Sequence, residues 1–95
     1  MMKKTTIYKY TKRMKHDEIL DIVKENYPEA LIADGFDAAI VGYTFQGKLV
    51  YEVHKMIKIL MTRDKMSEEE AHEYIDYNVL GAYMGEMTPV YIYTA

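Results

Sequence analysis

Two hydrophobic periods divide the chain. The helical period appears first at Ile19, Leu20, Val23 and Tyr27, with Asp21, Lys24 and Glu25 on the polar side. This predicts a helix opening at His16 or Asp17 and stopping at about Tyr27, because the residue before Pro28 avoids the α region. The same period returns at Val53, Met56, Ile57 and Leu60, widened by Ile59 and Met61, and predicts a second helix over about 53–63. A third stripe runs Ala71, Tyr74, Ile75, Val79, Ala82. Ser67 followed by Glu70 reads as a capping box ahead of it. Glu68, Glu69 and Glu70 favour the positive end of the helix dipole. Pro89 forbids continuation and Gly85 suits the residue after the last turn, so one long helix from Ser67 is expected. The Asp64-Lys65-Met66 link is short, which predicts that the second and third helices pair antiparallel.

The two-residue period marks the strands. Ala39 to Thr44 and Lys48 to Glu52 read as a hairpin, with Phe45-Gln46-Gly47 as its loop and Gly47 in a left-handed position. Gly42 inside the first strand suggests a bulge. Val90 to Thr94 is rich in β-formers and is expected to return to the hairpin as a third strand. Thr5 to Thr11 reads as an edge strand. The fold class expected is α+β: a small antiparallel sheet, made of the hairpin, the C-terminal strand and an N-terminal strand, covered on one face by about three helices. Residues 1–15 form a basic arm or edge strand, and residues 16–95 a single domain.

Composition narrows the function. The chain has 95 residues, enough for one modest core. It contains no cysteine, which excludes disulfides, thiolate zinc sites and cysteine nucleophiles. Its N-terminal residues hold charge but no apolar core of a signal peptide, and no apolar run approaches membrane-spanning length. A cytoplasmic setting and no membrane partner are expected. The net charge of −3 hides an asymmetry. Residues 1–15 carry six bases and no acid, whereas residues 16–95 carry six bases and 15 acids, a balance of −9. Direct binding of duplex nucleic acid is disfavoured, since phosphate contacts dominate that affinity. Solubility accounts for an acidic globule, and so does a basic protein partner. Ten tyrosines and eight methionines, with no tryptophan, suit adaptable interfaces as well as ordinary cores.

Candidate chemistry is sparse. Asp34, Asp37 and Glu86 are the best carboxylate set for a hard cation, but their spacing is not that of a calcium loop, and turn and cap roles account for the two aspartates. His16, His54 and His72 show no metal-binding spacing, and Ser67 is already used as a cap. No phosphate-binding loop or nucleophile elbow is present. No catalytic residue, metal or cofactor is therefore expected. Asn78 falls within the third stripe. It is expected to be buried, hydrogen-bonded to the connector around Asp34-Gly35, or to face a pocket. Gly81 is expected to let another element approach. Asp34, Asp37, Asn78, Tyr83 and Glu86 are the binding candidates.

Two motifs carry a resemblance. One is Asp34-Gly35-Phe36-Asp37-x-Ala39-Ile40-x-Gly42. The other is Met66-x-x-Glu69-Glu70-Ala71, continuing through Tyr77-Asn78-Val79-x-Gly81-Ala82-Tyr83-x-Gly85-Glu86-x-Thr88-Pro89. Together, over residues 16–92, the chain resembles a family of small proteins, mostly of unassigned function, found largely in bacteriophages and related mobile elements. The resemblance brings no catalytic residues. It implies a non-enzymatic, phage-associated accessory protein in the host-cell cytoplasm that binds and modulates a host protein or protein complex, including defence systems of the CRISPR type. The alternative is a small-molecule or metal-dependent binder or hydrolase with a site near Asp34, Asp37, Asn78 and Glu86. The uncharged C-terminal strand further predicts a homodimer.

Overall fold

A computed structural model describes residues 14–94. The strand expected at 5–11 lies outside the described residues. The described elements are helix α1 (His16–Asn26), a 3₁₀ turn (Asp37–Ala39), strands β1 (Ile40–Tyr43) and β2 (Leu49–Glu52), helices α2 (Val53–Arg63) and α3 (Glu68–Ile75), a π-helical turn (Asp76–Leu80) and strand β3 (Val90–Ile92).

The first two helices follow their stripes. Ile19, Leu20 and Val23 of α1 are buried and α1 packs on β1. Tyr27 donates its N–H to Val23 O at 2.8 Å, ending α1 just before Pro28. In the hairpin, Ile40 pairs with Tyr51 and Gly42 with Val50, so Val41 is the extra residue of the expected bulge. Gly47 has φ +90°, and a side chain there would collide with the ring of Tyr27. The close approach and the left-handed backbone together require glycine.

Helix α2 buries Val53, Met56, Ile57 and Leu60. Met61, expected to widen this face, is instead exposed. Lys65 takes φ +58°, which lets Met66 N–H reach Leu60 O at 3.3 Å and turns the chain into α3. The expected capping box is present: Ser67 Oγ accepts from Glu70 N–H at 3.1 Å and Glu70 Oε1 accepts from Ser67 N–H at 3.0 Å. Helices α2 and α3 pack against each other.

The long third helix is not what forms. Its α-helical part stops at Ile75, and residues 76–80 widen into the π turn. The buried positions are Ala71, Ile75 and Val79, four residues apart. Each such step over-rotates an α-helix by about 40°. The wider turn takes that rotation back and keeps Val79 over the core. Tyr74, Asn78 and Ala82, also expected on this face, are exposed. Gly81 does not admit another element; a side chain there would meet Asp76 O of its own helix at 3.3 Å. Gly85 does not close a helix either. With φ +112° it opens a turn closed by Thr88 N–H to Gly85 O at 3.1 Å.

After this strap, β3 joins β2, pairing Val50 with Val90, Tyr51 with Tyr91 and Glu52 with Ile92. The α+β architecture with helices on the sheet is as expected, but the sheet is mixed, in the order β1-β2-β3, because β3 runs parallel to β2. A parallel neighbour needs a long crossover, and residues 53–89 supply it with a helical pair. Leu49, Tyr51, Met56, Leu60 and Ile75 are fully buried at the centre, each stabilising the fold by about 1.5–3 kcal/mol if aliphatic.

Candidate functional site

Three irregular segments meet beside the core: the connector 31–36, the π turn, and the strap 82–89. Sequence dictates each. Pro28 stops α1 from running on into the connector, and Gly35 takes φ +88°. It is pinned from below by Tyr51, whose hydroxyl accepts from Ala33 N–H at 2.9 Å. It is pinned from the side by Arg63, whose Nη1 donates to Gly35 O at 2.7 Å. The same guanidinium forks onto Asp64, with both bonds at 2.9 Å, and lies 5.7 Å from the centre of the Phe36 ring. The strap is held by Thr88, whose Oγ1 accepts from Met84 N–H at 2.9 Å and donates to Gly85 O at 2.7 Å. Leu31 N–H to Met87 O, at 3.3 Å, ties strap to connector.

The segments enclose a cleft of about 210 Å³. Buried Phe36 and Val79, with half-buried Tyr91, form its floor. Tyr91 stacks on Tyr51 at 5.8 Å between ring centres. Tyr74 and Asn78 stand at one wall, and exposed Asp34 and Met84 at the rim. A second groove, lined by Glu70, Glu73 and Tyr77, shares Tyr74 and Asn78 with the first. No lysine, arginine or histidine lines either depression.

Of the binding candidates, the structure brings Asp34 and Asn78 into this cleft. Asp37 is exposed at the start of the 3₁₀ turn, and Tyr83 and Glu86 are exposed on the strap; none of these three lines the cleft. Asn78 is neither buried nor bonded to the connector. Its Nδ2 donates to Tyr74 O at 3.2 Å, within its own helix. The π turn displaced it from the stripe. Among the described residues no group of three or more His, Cys, Asp or Glu side chains is placed to hold a metal, so Asp34, Asp37 and Glu86 do not form a ligand set.

Three structural side chains carry the site's support, and the sequence marks only one of them. Glu52 is buried, with its carboxylate accepting from Lys55 N–H at 2.8 Å, Thr94 N–H at 2.9 Å and Thr94 Oγ1 at 3.1 Å, and His54 Nδ1 lies 3.1 Å away. Burial alone would raise its pKa, but the bonds from Thr94 and Lys55, with His54 beside them, hold it below the ordinary 4.5. The signal is in the chain: α2 begins directly after β2, so the last residue of the strand is also the cap of the helix. Tyr51, pushed up to about 12 by burial, and Arg63 have no comparable signature.

The outer surface here is unusual in composition. Tyr77 is 85% exposed, Tyr83 77% and Met84 73%, and Tyr74 and Leu80 are partly exposed in the same stretch. Residues 64–86 carry seven acids against one lysine. Among the described residues, no helix is long and apolar enough to cross a membrane. No protein-family model, curated protein or solved structure matches the chain.

Proposed function

We propose that the protein is a non-enzymatic binding module whose acidic, tyrosine- and methionine-rich face, residues 73–86, docks on a basic protein surface. The observation that carries this reading is the concentration of exposed Tyr74, Tyr77, Leu80, Tyr83 and Met84 in one acidic stretch. Scattered exposed apolar residues are ordinary, but a run of them marks an interaction surface. Aromatic residues and methionine are the types enriched at interfaces. The likeness of the two motifs to phage and mobile-element proteins supplies the setting. The partner is a host macromolecule, the place is the host-cell cytoplasm, and the effect is modulation of a host process such as defence.

Affinity capture from bacterial lysate tests this. A stoichiometric partner held by the wild type and lost by the Tyr77→Ser, Tyr83→Ser double variant, at an unchanged urea midpoint, is the expected result. Capture that survives both substitutions overturns the assignment of the face.

A two-fold homodimer belongs to the same proposal. Among the described strands β3 lies at the sheet's edge and carries no charge from Val90 to Ile92, and such an edge is open to extension by another chain. Light scattering at about 100 μM, well above a micromolar dissociation constant, is expected to report twice the monomer mass. A monomer mass leaves the edge unextended and ends the dimer.

A further inference from the structure

We infer that the cleft between connector, π turn and strap is the seat of an arginine side chain from a basic segment of the partner. This rests on the binding-module reading above and names the contact that gives it specificity. Size comes first. At about 210 Å³ the cleft falls below the roughly 300–1,000 Å³ typical of small-molecule pockets, so it accommodates a side chain rather than a cofactor.

The lining then selects the side chain. Phe36, Tyr74 and Tyr91 supply aromatic surface, and Asp34 supplies a carboxylate. Asp34 has no ion pair among the described residues. Asn78 directs one of its two Nδ2 hydrogens to Tyr74 O and presents Oδ1 as an acceptor. The Thr88 hydroxyl is already engaged as both donor and acceptor. The Asp34 carboxylate and the Asn78 Oδ1 are therefore the acceptors on offer, and the cleft lining carries no cationic donor. A guanidinium is donor-only, planar, and suited to aromatic faces and forked carboxylate bonds. The molecule already uses this chemistry on itself, where Arg63 lies over Phe36 and forks onto Asp64. Arg63 is held by Asp64 and the Gly35 carbonyl and makes no bond to Asp34. Glu70 and Glu73 in the adjoining groove extend the negative field along the path a basic segment would follow.

The test is an NMR titration of the isotopically labelled full chain with acetyl-arginine amide, acetyl-lysine amide and, as a neutral control, acetyl-norleucine amide. Saturable shifts of the Ala33, Asp34, Asn78 and Ala82 amides with arginine are expected, weaker ones with lysine and none with norleucine. Asp34→Asn and Tyr74→Leu should each weaken the arginine site about threefold to fivefold. Asp34 is exposed and makes no side-chain hydrogen bond among the described residues, so its variant keeps the fold. The absence of saturation by roughly 50 mM arginine probe, or equal binding of norleucine, overturns the inference. The two proposals fail separately. A captured partner insensitive to Asp34→Asn removes the arginine seat and leaves the docking face. Arginine binding without any captured partner does the reverse.

Discussion

Glu52 is the one charged side chain among the buried described residues, and it joins the helix α2 cap to the end of β3. Its folded pKa lies below its ordinary value. Its contribution is therefore fully present above pH 4.5 and is lost as pH falls through the lower folded value. Glu52→Gln should cost about 1–3 kcal/mol at neutral pH, and its urea midpoint should be less sensitive to acid than that of the wild type. Equal acid limbs for the two proteins would show that Glu52 does not carry the dependence. Tyr51 works in the opposite direction. Pushed up to about 12 by burial, it adds stability that is intact below its unfolded value of 10.0 and is lost as pH rises through the folded one. Tyr51→Phe leaves Ala33 N–H without its acceptor, at about 1–3 kcal/mol, and should remove the latest-ionising tyrosine from an ultraviolet titration. Asn78 is the contrasting residue. Because it is exposed and bonded only within its own helix, Asn78→Leu should change stability by no more than about 0.5 kcal/mol.

At the scale of elements, the hairpin shows what one glycine can fix. Gly47 combines φ +90° with contact from the Tyr27 ring, so Gly47→Ala must both strain the backbone and displace that ring. A loss of about 2–4 kcal/mol is expected from the left-handed penalty plus overpacking, read as a lowered urea midpoint. A change under about 0.5 kcal/mol would mean that Tyr27 moves aside freely. This loop was legible in the chain, as were the bulge at Gly42, the stripe of α2 and the Ser67–Glu70 box, because each rests on a local rule of backbone geometry or capping. The parallel β3 and the π turn were not. Strand direction depends on how residues 53–89 fold back, which is a property of the tertiary path. The π turn follows from a four-residue spacing of Ala71, Ile75 and Val79 that also fits an α-helix loosely. Misplacing that turn placed Asn78 and Tyr74 in the core, when they form the wall of the cleft instead. Asp34 and Asn78 were legible as a pair, yet their partners Phe36, Tyr91 and Met84 were not, because only the folded strap brings them together.

At the scale of the molecule, charge and core separate along the chain. The described buried core runs from Ile19 to Val79 and draws on α1, the hairpin, α2 and α3. The six bases of residues 1–15 precede it, and the acids of 64–86 sit on its far segment. That described core already supplies a hydrophobic driving force from residue 19 onward. Terminal segments can be removed when the remaining backbone and core are satisfied without them. Deleting residues 1–13 is therefore expected to preserve amide dispersion in a proton–nitrogen correlation spectrum, with the urea midpoint lowered by no more than about 1 kcal/mol. The deletion also removes five positive charges, Lys3, Lys4, Lys9, Lys12 and Arg13. If the acidic face binds a basic partner, the truncated chain should capture that partner faster at low salt, since complementary charge sets encounter rates. A collapse of dispersion on truncation would show that 1–13 contributes to the sheet. A folded truncation that captures the partner more slowly would instead make the basic arm part of the interface.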